Sequence, residues 1–166
     1  MPLERIVCWI PGMPKPEPRP RACKARTGPI YVPGSAEPWK RQIRALVASQ
    51  VASRGLQAPW TGPIAIRFCF VLAETRVPVW DRTPDWDNLA KAAQDALGTG
   101  KGTSARWAPV LWHDDRQVVE AVVSKRAGAV AGLRIEAWQL DPVDAITPSV
   151  LGMQDPAARA ESCHSA

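Results

Sequence analysis

The amino-acid sequence predicts an α+β domain in which two main helices pack on a mixed β-sheet. Three observations predict it: a run with two-residue alternation, two stretches with helical periodicity, and two β-rich runs that follow them. The elements come in the order β, basic loop, α, β, α, β, β, and an amphipathic helix or sheet must bury its apolar face against another element. The 166 residues are enough for one domain of ordinary size.

The first element is a short β-rich run over residues 5–10, which stops at a proline-rich segment. Eight of the seventeen prolines lie from Pro11 to Pro38, so this segment is predicted to be loop or edge strand. Against the carboxylate of Glu17 it carries five cations, which are Lys15, Arg19, Arg21, Lys24 and Arg26. Proline stiffens this backbone, which displays the cations either to water, as a solvated linker, or to a phosphate chain.

The first helix is predicted from an N-cap at Ser35 to about Arg54, with Pro38 in its first turn and Gly55 ending it. The apolar residues at helical spacing are Trp39, Ile43, Leu46, Val47 and Val51. These should face inward, which leaves a cationic outer face. Its members are Lys40, Arg41 and Arg44, and the face is either a solvated surface or a DNA contact.

Residues 64–72 alternate over nine positions and give the clearest strand signal. A second helix is predicted from Pro84 to Leu97, with Gly98 just past its end. Residues 98–109 lack periodicity and should be a mobile connection. The β-rich runs 117–126 and 133–140 suit an antiparallel hairpin, because the loop between them contains two glycines.

Composition limits the function classes. No apolar run is long enough to span a bilayer and no signal-peptide core forms before Pro11, so we expect a soluble cytosolic protein. The domain is predicted to span residues 1–140, followed by a flexible tail over 141–166. The tail holds four acidic residues and one basic residue, so it carries −3 of the net charge of +5 and the domain carries +8. Such a domain favours polyanionic partners. The four cysteines show no C-x-x-C spacing, which gives little support to a zinc site.

Two acidic clusters lie where elements begin: Asp85 with Asp87, and Asp114 with Asp115. One interpretation is structural, with Asp85 as an N-cap and Asp87 paired with Lys91, a contact worth only ~0.3 to 0.5 kcal/mol. The other is a divalent cation, which would relieve the repulsion between the carboxylates. Magnesium prefers hard oxygen ligands and keeps several waters, so two or three carboxylates suffice. Such ligands beside a lysine in a basic domain fit phosphodiester hydrolysis.

Two blocks of the sequence form a specific pattern: Asp85-x-Asp87-Asn88-Leu89-x-Lys91-Ala92-Ala93-x-Asp95-Ala96-Leu97, and Asp114-Asp115-x-Gln117-Val118-Val119 with Lys125. Together they resemble the RusA family of Holliday junction resolvases, over about residues 6–140. The resemblance implies a RusA-like fold and an endodeoxyribonuclease that uses Mg²⁺, with Mn²⁺ as a substitute. It also implies a homodimer that resolves four-way DNA junctions by paired symmetric nicks in DNA recombination and repair.

The resemblance implies catalytic roles for Asp85, Asp87, Lys91 and Asp115, and makes the three aspartates metal ligands. Additional candidates for the site are Asp114 and Asn88. On a strand, Asp114 and Asp115 face opposite sides, so only one of them readily faces a given site. The expected DNA contacts are Lys15, Arg19, Arg21, Lys24, Arg26, Lys40, Arg41, Arg44 and Lys91.

Two other functions remain open at this point: a nuclease for flaps or other branched DNA, and a non-catalytic basic DNA-binding module in which the aspartates only cap and pair. Trp86 is interpreted as a packing residue, with contact to sugar or base as the alternative. His113 is interpreted as a solvated loop residue. The stretch from 98 to 113 departs from the compact turn of the family, which leaves the cleavage sequence undetermined.

Overall fold

The computed structural model describes residues 4–18, 21–22, 30–31, 36–73, 83–99 and 107–142. In chain order its elements are β1 (Arg5–Pro11), β2 (Arg21–Ala22), β3 (Ile30–Tyr31), α1 (Glu37–Ser53), β4 (Ile64–Ala73), α2 (Trp86–Leu97), β5 (Val118–Gly128) and β6 (Gly132–Gln139). Four strands form a mixed sheet in the order β1-β6-β4-β5, and β2 pairs with β3 in a separate ribbon. This arrangement confirms the predicted α+β class.

The sheet is built around β4, whose alternating side chains place Ile66, Phe68 and Phe70 in one buried cluster with the apolar faces of α1 and α2. On the opposite face Ala65 and Cys69 are buried as well. Along its two edges β4 pairs with β5 in parallel and with β6 antiparallel, so it is an inner strand of the sheet.

The predicted hairpin between the last two strands is wrong, because β5 and β6 pair with opposite edges of β4. Residues 129–131 connect them across the end of β4. Two strand spacings amount to about 9.6 Å, a distance that three residues can span at about 3.3 Å each. The loop length therefore permits either topology, so it could not exclude the observed strand order.

The helices begin and end close to their predicted positions. Pro38 lies in the first turn of α1 and Gly55, at a φ of +62°, follows its end. The N-cap is Ala36, whereas the predicted cap, Ser35, lies outside the described residues. The backbone of Asp85 caps α2, and its apolar residues at helical spacing are buried, namely Leu89, Ala92, Ala93, Ala96 and Leu97.

Several predictions concern parts of the chain that the structure describes only partly. Residues 100–106 of the predicted mobile connection and 143–166 of the predicted tail lie outside the described ranges. Within those ranges the thiols of Cys8 and Cys69 are buried and neither is part of a disulfide, and burial raises the pKa of the Cys8 thiol. None of the described helices is both long and apolar enough to cross a bilayer.

Candidate active site at the ends of helix α2

The first turn of α2 presents two exposed carboxylates to solvent, those of Asp85 and Asp87. Asp85 has the extended backbone of an N-cap, but its side chain makes no capping hydrogen bond. The side chain amide of Asn88 donates to it over 3.4 Å. Asp87 makes no hydrogen bond or ion pair with any residue that the structure describes. Asp85 therefore occupies the predicted N-cap position, but the described structure shows neither a side-chain cap there nor the predicted ion pair between Asp87 and Lys91.

The entry to α2 is fixed by a lysine of the sheet. Lys125 on β5 donates to the Thr83 hydroxyl at 2.6 Å and to the Pro84 carbonyl at 2.9 Å. Because these two residues directly precede Asp85, the sheet sets the position of the first carboxylate. The sequence pattern included Lys125 but indicated no role for it, since a strand lysine gives no signal of the loop that it will contact.

Lys91 lies one turn further along α2, with 61% of its side chain exposed. Its ammonium pairs with Asp95, with 3.3 Å between Nζ and Oδ1, and this contact turns it toward the carboxyl-terminal half of the helix. The expected partner, Asp87, lies on the other side of Lys91. The lysine is thus exposed beside the carboxylate pair without neutralising it.

Asp114 closes the turn that leads into β5. Its carboxylate accepts from the backbone N–H and the guanidinium of Arg116, while the side chain of Gln117 accepts from the Asp114 N–H. This reciprocal arrangement is a capping box. Asp114 therefore has a structural role here, and its neighbour Asp115 is the more exposed of the two.

Asp115 lies at the opposite end of α2 from the carboxylate pair. Its Oδ1 accepts from the indole N–H of Trp112 at 3.1 Å and is 3.2 Å from where a Cβ on Gly98 would be. Gly98 follows Asp85 by thirteen residues, which corresponds to about 20 Å along the helix axis. Ligand oxygens of one Mg²⁺ lie at most about 4 Å apart. Among the described residues of one chain, no group of three or more acidic, histidine or cysteine side chains could hold a metal ion.

The proline-rich segment docks beside the carboxylate pair. The backbone N–H of Glu17 donates to the Asn88 carbonyl at 2.9 Å, and Gln42 of α1 donates to the Pro11 carbonyl at 2.8 Å. Lys15 in this segment is exposed. The side chains of the other cations predicted here, which are Arg19, Arg21, Lys24 and Arg26, lie outside the described part of the structure.

The predicted cationic face of α1 is correct only for the exposed Arg41. Lys40 is 2% exposed and paired with acidic residues, so its predicted outward position is wrong. Helical spacing did not reveal this because two of the partners, Glu17 and Asp95, come from other parts of the chain. Arg44 is half-buried: it donates to the Ala96 carbonyl at 2.7 Å and stacks on Trp107 at 4.8 Å. Desolvation by this burial lowers the pKa of Arg44.

Two further predictions concern exposed rings. The indole of Trp86 is 59% exposed, so its interpretation as a packing residue is wrong and its face is accessible beside the two carboxylates. His113 is exposed, as expected of a solvated loop residue, and its backbone N–H donates to the side chain of Gln117.

Comparison with known proteins gives one family. A search of curated proteins found no significant match. The model of the family described as endodeoxyribonuclease RusA matches residues 11–137, about three quarters of the chain, and this range includes both ends of α2, the docked proline-rich segment, the strands β4 and β5 and most of β6. The chain belongs to the RusA family.

Proposed function

We propose that this protein is a divalent-metal-dependent homodimeric nuclease that resolves four-way DNA junctions by paired symmetric nicks, in cytoplasmic DNA recombination and repair. Membership of the RusA family indicates an endodeoxyribonuclease with Holliday junction resolvase activity on branched DNA. The observation that carries the finer proposal is the pair of exposed carboxylates, Asp85 and Asp87, beside the exposed ammonium of Lys91.

The carboxylate pair fits Mg²⁺ or Mn²⁺. Asp85 and Asp87 supply hard oxygen donors, the Asn88 amide is adjacent, and Asp87 has no partner among the described residues. Mg²⁺ in nucleotide enzymes is bound by one or two carboxylates together with substrate phosphate. A cation held there would activate a water and neutralise charge that develops on the scissile phosphate. In this proposal Lys91 contacts a phosphate oxygen and stabilises the same charge.

The proposed dimer accounts for the third aspartate. Asp115 is about 20 Å along α2 from Asp85, too far to share a metal ion within one protomer. In a twofold-symmetric dimer the Asp115 end of one protomer can face the Asp85 end of its partner, and symmetry then creates two identical sites. Two equivalent sites are what paired symmetric nicks require.

Cations around this end of the molecule are proposed to bind the DNA backbone. Lys15 and Arg41 are exposed, and Glu17, which precedes Arg19, Arg21, Lys24 and Arg26 in the sequence, is hydrogen-bonded to the first turn of α2. Phosphate contacts from such cations position DNA without reading its sequence. Lys40 and Arg44 are not included, since both are engaged inside the fold.

A cleavage assay tests the proposal. Wild-type protein is incubated with a synthetic four-way junction and Mg²⁺, and we expect two symmetric nicks that disappear in Asp87→Asn and without metal. Asp141→Asn, an exposed aspartate at the end of β6, is the control and should cleave normally. Preference for flaps over junctions would favour a branched-DNA nuclease. An intact junction, bound equally well by folded wild type and Asp87→Asn, would indicate a non-catalytic binding module.

A further inference from the structure

Lys91 lies between two aspartates on the same side of its helix. Asp87 precedes it by four residues and Asp95 follows it by four, and the ammonium pairs with Asp95. In an isolated helix the acid that precedes a lysine by four residues is the better partner, because this orientation agrees with the helix dipole. The folded protein therefore holds Lys91 against the local preference of α2.

The buried ammonium of Lys40 explains why Lys91 pairs with Asp95. It lies among three carboxylates from three parts of the chain: Glu17 at 2.5 Å, Asp95 at 3.6 Å and Glu37 at 3.8 Å. A buried charge is tolerated only when it is well paired, so this cluster must stay assembled. The Oδ2 atom of Asp95 is engaged with Lys40, which fixes the carboxylate and offers its Oδ1 atom to Lys91.

The helix dipole adds a second reason for this pairing. Asp95 lies in the last turn of α2, where exposed carbonyl groups disfavour a negative charge, and this turn contains no basic residue. Lys40 from α1 and Lys91 from the preceding turn supply the missing positive charge. Asp95 therefore attracts Lys91 more strongly than an exposed aspartate in a helix would.

We propose that Asp95, anchored by Lys40, is a positioning residue that draws the Lys91 ammonium away from Asp87 and so leaves the Asp87 carboxylate available to a divalent cation. The inference rests on the proposed function, in which Asp87 binds metal. It explains why Asp87 has no ion-pair partner among the described residues although a lysine lies one turn away. An ammonium on Asp87 would occupy a ligand oxygen and repel the incoming cation.

Metal binding without DNA tests the inference on the full-length protein. Free Mn²⁺ is measured by electron paramagnetic resonance during a titration. In Asp95→Asn we expect the Mn²⁺ dissociation constant to rise about three- to tenfold, because Lys91 turns to Asp87. The matched control is Glu37→Gln, which removes a carboxylate from the same cluster without contacting Lys91 and should leave the constant within about twofold. Equal weakening in both variants, or none in Asp95→Asn, overturns the inference.

A second variant covers the case in which Asp95→Asn does not fold. In Lys91→Met the Mn²⁺ affinity should stay within about twofold of wild type, since Lys91 is already held away from Asp87. A larger gain in affinity would mean that Lys91 occupies Asp87, and would overturn the inference. If wild type binds no Mn²⁺ and Asp87→Asn changes nothing, the proposed metal site itself fails and the inference falls with it. Failure of the Asp95 and Lys91 variants alone leaves the proposed function intact.

Discussion

The backbone N–H of Glu17 donates to the carbonyl of Asn88, and this 2.9 Å hydrogen bond lays the proline-rich segment against the first turn of α2. The carboxylate of the same residue pairs with the buried Lys40. One residue thus attaches the segment to both helices. Glu17, which precedes Arg19 and Arg21 in the sequence, is therefore held beside the candidate site.

We predict from this attachment that Arg19 and Arg21 contact DNA phosphates. Replacing both with alanine should make the log-log salt dependence of junction binding shallower by about 1.8, since each lost phosphate contact removes about 0.9. The measurement is a binding titration at several salt concentrations. Arg54→Ala, an exposed arginine at the other end of α1 from Lys40, should leave the slope unchanged. An unchanged slope in the double variant would make the segment a linker.

Lys40 and Arg41 are adjacent in sequence, but we predict that only substitution of Lys40 lowers the stability of the protein strongly. Lys40→Ala leaves three carboxylates around an empty position, and breaking a buried ion pair destabilises a protein by about 3 to 5 kcal/mol. Arg41→Ala removes an exposed side chain and should change stability by less than about 0.5 kcal/mol. Urea denaturation measures both. Equal stability of the two variants would contradict the burial of Lys40.

We predict that the packing at the carboxyl-terminal end of α2, where Gly98 lies beside Trp112 and Asp115, requires a glycine at position 98. A Cβ at this position would lie 2.6 Å from the indole nitrogen of the fully buried Trp112 and 3.2 Å from Asp115 Oδ1. Overpacking of this kind costs about 1 to 3 kcal/mol, so Gly98→Ala should lower stability and change the tryptophan fluorescence. Gly62→Ala is the control, because a Cβ there meets nothing within 4 Å. Normal stability of Gly98→Ala would contradict this packing.

The exposed ring of Trp86 is predicted to stack on DNA. Base stacking on an aromatic side chain contributes about 1 to 3 kcal/mol, so Trp86→Ala should weaken junction binding about fivefold or more. Thermal stability should stay the same, since the ring is largely outside the fold. Trp86→Phe should retain most of the affinity. Full affinity in Trp86→Ala would leave the exposure of this ring without a DNA-binding role.

The sequence was sufficient to predict the elements whose signal is local. The central strand and α2 follow from two-residue and helical periodicity, and the acidic blocks follow from spacing. What it did not predict depends on contacts between distant residues: Lys40 is buried by Glu17 and Asp95, and Lys125 on β5 holds the two residues that precede Asp85. The hairpin prediction failed for the same reason, since a three-residue connection permits β5 and β6 either to pair directly or to flank β4, and the pairing with β4 is a contact between distant segments.

Because Asp115 and Asp87 are far apart along α2, we predict that each active site is shared between the two protomers. Asp87→Asn and Asp115→Asn dimers are each expected to be inactive. Mixed dimers formed from the two proteins contain one site that has lost both aspartates and one that keeps both, provided that each site takes Asp115 from the partner. Mixing should then restore single-strand nicking of the junction, while the paired second nick stays absent. If each site lay within one protomer, every site of the mixed dimer would lack one aspartate and mixing would restore nothing. Mixing two preparations of Asp87→Asn, which cannot complement each other, is the control.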